Sequence, residues 1–217
     1  MVKHVIFDCD GVLIDTEIVA AEVVVDWLQT EKVMLSIDEF IRTHTGKMFS
    51  DIIKELQGQG ELRKNLDVQA LIRELEVLIV ENMRIIEGVQ NTLGAVSLPK
   101  SVVSNSEVHY VKAALSKFDM NSHFEGRVFS AEMVEKGKPS PEVYQLAIQS
   151  LGIEKEQLIA IEDSYTGVQA ATSAGIPTIG FLGGSHILDG HAERLQSLGV
   201  LGLASNHQEL QQLLTQL

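Results

Sequence analysis

The chain of 217 residues carries a formal net charge of −13, with 22% charged and 45% hydrophobic residues. This composition is typical of a folded globular protein, and the length suffices for one domain or for a core with a smaller inserted unit. The acidic balance disfavours nucleic acid and anionic membrane surfaces as partners, because both are bound through excess Lys and Arg. A single cysteine excludes an internal disulfide and a cysteine-rich metal site.

No apolar stretch approaches the roughly 18 residues of a membrane span. The N-terminus runs directly into a strand pattern instead of a basic and then apolar leader. We therefore expect a cytoplasmic protein. An anionic substrate would need local help from a metal ion or a few placed cations, because the chain as a whole is acidic.

The first predicted strand, residues 3–7, delivers two carboxylates to its end. Asp8 and Asp10 follow two residues apart, and Gly11 lets the backbone turn away at once. Alternation along the strand points Cys9 away from the face that carries the two acids, so we assign a packing role to its thiol. Alone, the two acids are as compatible with a turn as with catalysis.

Residues from about 16 to 86 show helical patterns only. Apolar residues recur at helical spacing, and the starts of the segments carry capping residues. The predicted helices begin after Asp15-Thr16, at the capping box Ser36-Ile37-Asp38-Glu39, at residue 49 and at residue 67, the third covering 49–57 and the last 67–86.

From residue 100 onward, strands alternate with helices. The predicted strands are 100–103, 127–130, 157–161, 178–182 and 200–204, and the predicted helices are 106–117, 141–151, 165–174 and 208–214. Such alternation implies right-handed crossovers and a parallel sheet covered on both faces. We predict an α/β fold with a doubly wound parallel sheet formed by residues 1–15 and 87–217, and an inserted helical cap formed by residues 16–86.

Ligands of such a sheet lie beyond the carboxyl ends of its strands. Four separate segments place polar residues there: Asp8 and Asp10, Ser104 and Asn105, Lys138 in a basic turn, and Glu162 and Asp163. Each residue alone has a structural explanation as a turn, a helix cap or a helix-start acid. Together, a carboxylate nucleophile, a second carboxylate, acidic metal ligands and a cation fit phosphoryl transfer through an aspartyl-phosphate.

These segments resemble, in order and spacing, the four motifs of the haloacid dehalogenase (HAD) superfamily. The matching residues are Asp8-Cys9-Asp10-Gly11-Val12-Leu13, Ser104-Asn105, Lys138-Pro139 and Glu162-Asp163-Ser164. The inserted helices resemble the small helical cap of the subfamily that contains β-phosphoglucomutase and bacterial sugar-phosphate phosphatases. The resemblance covers essentially the whole chain and implies a Rossmann-like HAD core with Mg²⁺ as the cofactor.

The resemblance also implies a role for each site residue. Asp8 would attack phosphorus and bind Mg²⁺, while Asp10 would protonate the leaving oxygen and then activate water. The backbone carbonyl of Asp10 and the carboxylate of Asp163 would complete the metal ligands, with Glu162 nearby or acting through water. The residues that would hold the phosphate oxygens are Ser104, Asn105 and Lys138.

A loop of the cap is the expected reader of the rest of the substrate. In the resembled family this loop faces the active site, and here it carries Arg42, His44, Gly46 and Lys47. The alternative is an ordinary exposed loop. The other histidines show no spacing typical of zinc ligands.

The resemblance implies a phosphoric monoester hydrolase, a Mg²⁺-dependent phosphatase of small phosphorylated sugars or sugar acids, with 6-phosphogluconate among the candidates. Two alternatives stay open: a β-phosphoglucomutase-like mutase that shares the aspartyl-phosphate, and a non-catalytic protein that binds sugar phosphates. We expect a small phosphate ester as the partner, and a monomer or else a dimer.

Overall fold

The computed structural model describes residues 1–44 and 49–216, which form two compact units. The core unit consists of Met1–Asp15 and Ile85–Leu217, and the cap unit of Thr16–Arg84. None of the described helices combines the length and apolar character needed to cross a bilayer.

The described residues contain strands and helices in the predicted alternating order. The strands are β1 (His4–Phe7), β2 (Lys100–Ser104), β3 (Val128–Ser130), β4 (Leu158–Glu162), β5 (Thr178–Phe181) and β6 (Gly202–Ala204). The helices are α1 (Thr16–Thr30), α2 (Ile37–His44), α3 (Phe49–Gln59), α4 (Val68–Asn82), α5 (Val89–Ala95), α6 (Val108–Lys117), α7 (Asn121–Phe124), α8 (Glu142–Leu151), α9 (Tyr165–Ser173), α10 (His191–Gln196) and α11 (His207–Leu214). Single turns of 3-10 helix cover Ala131–Met133 and Lys155–Gln157.

The core unit is built on a parallel sheet of six strands in the order β3-β2-β1-β4-β5-β6. The strand order reverses at β1, which is the topological switch point where a doubly wound sheet opens a crevice. Phe7 pairs with Val102 on one side and with Ile161 on the other, so the three central strands end at the same level. The predicted fold class is confirmed, and the residues that follow β1, β2 and β4 share one edge.

Strand β4 and its neighbours are buried because helices cover the sheet. Ile6 and Ala160 pack in one apolar cluster with Tyr144 of α8 and Ala170 of α9. The strands are nearly continuous apolar runs, as expected when both faces of a parallel sheet are covered. This packing holds in place the strands from which the site residues follow.

The cap unit has an apolar core of its own. Leu28 of α1, Ile53 and Leu56 of α3 and Leu75 of α4 are buried in one cluster. The side chain of Asp67 caps α4 by accepting a hydrogen bond from the backbone N–H of Ala70 at 3.0 Å. The Asp67 start of α4 follows the pattern expected from the sequence.

The predicted end of that helix was wrong. Helix α4 ends at Asn82, and Met83 already has extended backbone angles (φ −46°, ψ 138°). Ile85 forms an isolated bridge with Ile14, and the Ile86 N–H donates to the carbonyl of Leu13 at 3.1 Å. Apolar residues continue at helical spacing past the end of α4. Ile86 is buried, but it lies beyond the helix and belongs to the core unit. The short helices α5, α7 and α10 had not been predicted.

Candidate active site

A buried lysine lies between two carboxylates at the shared edge of β1, β2 and β4. Lys138 Nζ is 2.8 Å from Asp8 Oδ1 and 2.7 Å from Glu162 Oε1, and it donates to the Val103 carbonyl at 2.9 Å. Asp8 is 6% exposed, Lys138 8% and Glu162 0%. The three ammonium hydrogens therefore all have acceptors, two of them acidic.

These contacts set the charges of the group. Burial raises the pKa of Asp8 well above its usual range, Glu162 raises it further, and Lys138 opposes both. Burial also raises the pKa of Glu162, and Lys138 again opposes the rise. Burial lowers the pKa of Lys138, but the two acids outweigh it and the net shift is upward. Lys138 is therefore a permanent ammonium, which favours the ionised form of both acids.

Glu162 is oriented toward the lysine by a second donor. The hydroxyl of Tyr144 donates to Glu162 Oε1, and burial raises the pKa of this phenol, so it stays a donor. Glu162 Oε2 faces the first turn of α9, where a Cβ on Gly167 would lie 1.8 Å from it. Among the described residues, Oε2 has no hydrogen-bond partner. The carboxylate that the sequence suggested as a metal ligand is thus engaged mainly with Lys138.

The neighbouring acid, Asp163, has different contacts. His186 Nε2 lies 3.1 Å from Asp163 Oδ2, and His191 Nε2 lies 2.6 Å from the Asp163 carbonyl oxygen. Gly11 has a φ of +77°, and a Cβ on it would lie 1.8 Å from Asp163 Oδ2. Sequence reasoning had assigned no site role to either histidine.

The acids fit a hard divalent cation. Each of Asp8, Glu162 and Asp163 is buried and offers a carboxylate oxygen within 4.8 Å of the others, which makes them the metal-compatible cluster of the described ranges, 1–44 and 49–216. The Lys138 ammonium contacts Asp8 and Glu162 but not Asp163, so a cation would relieve the remaining negative charge of the three carboxylates. An all-oxygen donor set suits Mg²⁺.

Asp10 is held by two serines. Asp10 Oδ2 accepts hydrogen bonds from Ser106 Oγ at 2.7 Å and from Ser104 Oγ at 3.3 Å. Ser104 Oγ also accepts from the backbone N–H of Ser106 at 2.9 Å. Ser106 had not been predicted as a site residue, although it directly follows the Ser104-Asn105 motif, and adjacency to that motif is the signal that could have identified it.

Asn105 acts on the backbone of the lysine. Its Oδ1 accepts from the Lys138 N–H at 2.8 Å, and its Nδ2 donates to the Lys138 carbonyl at 3.1 Å. Both polar atoms of the side chain are therefore engaged by Lys138, and the expected contact of Asn105 with phosphate oxygens stays a prediction. The structure brings Asn105 to the site as a clamp on Lys138.

Cys9 lies between two site acids in sequence but is fully buried. Burial raises the pKa of its thiol well above the usual range, and the nearby carboxylates of Asp10 and Asp8 raise it further. The neutral thiol fits the packing role inferred from strand alternation.

The predicted cap residues are only partly described. Arg42 is exposed on α2. His44, at the end of the same helix, is 7% exposed and packs against Phe40 with ring centroids 5.1 Å apart and ring planes tilted by 50°. His44 also lines a mostly apolar cavity of about 250 Å³ within the cap unit. Gly46 and Lys47 lie outside the described residues. A role of these four residues in substrate selection stays a prediction.

Comparison with known families identifies the fold and the chemistry together. Residues 5–181, which include all four motifs, match the model of the haloacid dehalogenase-like hydrolases. The chain belongs to this family. The matched range contains the acids, serines and lysine of the site described above, whereas His186 and His191 lie beyond it.

Similar proteins within the HAD family narrow the class. The chain is 27% identical to 6-phosphogluconate phosphatase of Escherichia coli K12 over 187 residues, 85% of each protein. It is 28% identical to a HAD family hydrolase of Deinococcus radiodurans R1, solved with bound phosphate and sodium, with a TM-score of 0.86 over 99% of this chain and 96% of that one. A Thermotoga maritima structure assigned provisionally as a β-phosphoglucomutase is 25% identical, with a TM-score of 0.84 over 99% of each chain. These comparisons confirm the predicted enzyme class, a phosphoric monoester hydrolase.

Proposed function

We propose that this HAD protein is a Mg²⁺-dependent phosphatase of small phosphorylated sugars or sugar acids, acting through an aspartyl-phosphate on Asp8. The observation that carries the proposal is the buried contact of 2.8 Å between Asp8 Oδ1 and Lys138 Nζ beside the acids Glu162 and Asp163. We further propose that the protein is cytoplasmic and that it is a monomer or else a dimer.

Asp8 is the nucleophile in this scheme. Lys138 favours its ionised form against burial, and the same ammonium offsets the repulsion between Asp8 and an incoming phosphate dianion. Attack by Asp8 on phosphorus forms the acyl phosphate as the bond to the leaving oxygen breaks. Ser104 lies at the same edge and is the hydroxyl that would contact the phosphate oxygens.

Asp10 is the general acid and then the general base in this scheme. In its protonated form it would give a proton to the leaving oxygen, and the resulting carboxylate would take a proton from the water that hydrolyses the acyl phosphate. Ser104 and Ser106 hold its Oδ2, so this carboxylate has a fixed resting position. The two acids of the first motif thereby have separate tasks.

The residues that would hold Mg²⁺ are Asp8, Asp163 and the backbone carbonyl of Asp10. When bound, Mg²⁺ would supply charge neutralisation for the phosphate oxygens. Glu162 would act mainly by holding Lys138, because its Oε1 accepts from both Lys138 and Tyr144.

Similar proteins support the proposed substrate class. Selection of one sugar phosphate over another is assigned to residues of the cap. The E. coli relative is named for 6-phosphogluconate, and the Deinococcus structure holds phosphate. We propose that Arg42, His44, Gly46 and Lys47 distinguish among sugar phosphates. If His44→Ala and Lys47→Ala leave the ranking of substrates unchanged, the cap residues are not the readers.

The test is phosphate release from a panel that contains 6-phosphogluconate, 2-phosphoglycolate, hexose 6-phosphates and β-glucose 1-phosphate, with Mg²⁺ or with EDTA. We expect Mg²⁺-dependent turnover that Asp8→Asn removes and that Asp26→Asn, at an exposed aspartate, retains. Full activity of Asp8→Asn would refute the nucleophile, and turnover in EDTA would refute the metal.

A mutase is the second candidate, favoured by the similarity to the Thermotoga structure. It would pass through the same aspartyl-phosphate and transfer the group to a sugar hydroxyl. A catalytic amount of a sugar bisphosphate separates the two, because isomer formation without phosphate release supports the mutase. A protein that only binds sugar phosphates would show neither phosphate release nor isomer formation, in the wild type as in Asp8→Asn.

A further inference from the structure

The segment between β5 and α10 reaches the acidic side of the site from a strand that carries none of the four motifs. His186, which is 8% exposed, lies in this segment, and His191 begins α10 at its end. His186 Nε2 is 3.1 Å from Asp163 Oδ2, and His191 Nε2 is 2.6 Å from the Asp163 carbonyl oxygen. The segment and the first residue of α10 therefore contact the side chain and the backbone of Asp163, respectively.

The segment is itself anchored. The backbone N–H of Ser185 donates to Asp15 Oδ1 at 3.0 Å, and the Ser185 hydroxyl donates to Asp15 Oδ2. Asp15 is 9% exposed whereas Ser185 is exposed, so these bonds are partly buried. The residue before His186 is thus fixed at two points, which limits the positions that the imidazole can take.

The contact with His186 restricts the carboxylate of Asp163. A carboxylate oxygen only accepts hydrogen bonds, so Nε2 carries the hydrogen in this contact. With Oδ2 engaged by the imidazole, rotation of the carboxylate is limited, and the second oxygen is left for a cation. Without the imidazole, Asp163 would be free to turn away from Asp8 and Glu162, which repel it.

We propose that His186 is a positioning residue that orients Asp163 and thereby sets the affinity of the site for a divalent cation. The inference rests on the proposed function, because that function supplies the cation. Hydrogen-bond partners behind a metal ligand typically change metal affinity by about 10–100-fold when removed. His186 acts through Asp163 and does not touch the reacting atoms in this role.

The experiment compares His186→Met, which removes the donor, with His186→Gln, whose amide nitrogen can occupy the place of Nε2. His186→Asn keeps an amide that is too short to reach Asp163, and it replaces the Met variant if that variant does not fold. The matched control is His109→Met, because His109 Nδ1 lies 3.1 Å from Glu107 Oε2 in a pair with side chains 80% and 68% exposed. Mg²⁺ binding is measured by calorimetry and by the rise in melting temperature on adding Mg²⁺, and activity is titrated with Mg²⁺.

We expect His186→Met and His186→Asn to raise the Mg²⁺ dissociation constant by about 10–100-fold, and His186→Gln and His109→Met to change it by less than about threefold. The Mg²⁺-induced rise in melting temperature should shrink in the first two variants, and kcat at saturating Mg²⁺ should fall far less than the affinity. Unchanged Mg²⁺ affinity in His186→Met, or loss of kcat alone, would overturn the positioning role. Absence of Mg²⁺ binding by the wild-type protein would overturn the proposed metal dependence together with this inference.

Discussion

Replacing Lys138 by methionine should destabilise the core unit strongly and in a pH-dependent way. Methionine has a similar length but no charge, so the change removes the donor to Asp8 and Glu162 while largely filling its space. Breaking a buried ion pair by removing one partner typically costs about 3–5 kcal/mol, because the remaining charge stays buried without compensation. Here one ammonium serves two buried acids, so we expect the upper part of that range.

The sign of the pH dependence follows from the acids that remain. Burial already raises the pKa of Asp8 and of Glu162, and Lys138 is what opposes the rise. Without it the folded protein retains a proton that the unfolded chain has released, so stability is lost as pH rises from the unfolded carboxyl value toward the raised folded value. Each pH unit of such a difference is worth about 1.4 kcal/mol per proton, so the destabilisation should be about 1–3 kcal/mol larger at about pH 8 than at about pH 5.5.

Urea unfolding followed by circular dichroism in EDTA, at both pH values, measures these free energies. Lys54→Met is the matched control, since Lys54 pairs with Asp51 at 3.0 Å with side chains 72% and 58% exposed, and exposed pairs contribute about 0–1 kcal/mol. The reasoning is refuted if Lys138→Met costs no more than Lys54→Met, or if its cost is the same at both pH values.

Three further changes test buried contacts of the core unit. Tyr144→Phe removes the hydroxyl donor to Glu162 and should cost about 1–2 kcal/mol in urea unfolding. Gly167→Ala would place a Cβ 1.8 Å from Glu162 Oε2 and should cost about 1–3 kcal/mol, visible as a lower melting temperature. Burial lowers the pKa of His4 from 6.5 to about 4, so stability should fall as pH falls through this window. The shift corresponds to at most about 3 kcal/mol, and partial screening makes about 1–2 kcal/mol the expected loss, which His4→Gln should abolish in urea unfolding across that window.

The edge of the sheet could be predicted because the chemistry follows the strands directly. Asp8, Ser104 and Asp163 each come at or just after the end of a buried strand, and parallel strands that neighbour each other bring their carboxyl ends to one place. Lys138 lies in a turn, and its position follows from resemblance more than from periodicity. The sequence could not show that Lys138 is buried or that its ammonium contacts Asp8, and these contacts keep Lys138 charged.

Other site residues could not be predicted because nothing local marks them. Tyr144 occupies an apolar position of α8, and only the packing of α8 on the sheet brings its hydroxyl to Glu162. His186 is distant in sequence from Asp163 and follows a strand that carries no motif. Metal-ligand spacing does not mark His186, because its partner in the structure is the carboxylate of Asp163.

The two adjacent acids at the end of β4 differ in their surroundings, which assigns them different tasks. Glu162 is fully buried and accepts from Lys138, whereas Asp163 contacts His186. Glu162→Gln should therefore loosen Lys138 and reduce kcat while changing the Mg²⁺ dissociation constant by less than about threefold. Asp163→Asn removes a proposed ligand and should raise that constant by more than the roughly 10–100-fold expected for loss of a partner behind a ligand.

Calorimetric Mg²⁺ titration of the two variants, with phosphate release measured at saturating Mg²⁺, separates these tasks. A larger loss of Mg²⁺ affinity in Glu162→Gln than in Asp163→Asn would make Glu162 the metal ligand and refute its assignment to Lys138. Equal losses would mean that the two acids act as one unit, because a shared network gives non-additive effects. The division of labour follows only if the two variants fail in different measurements.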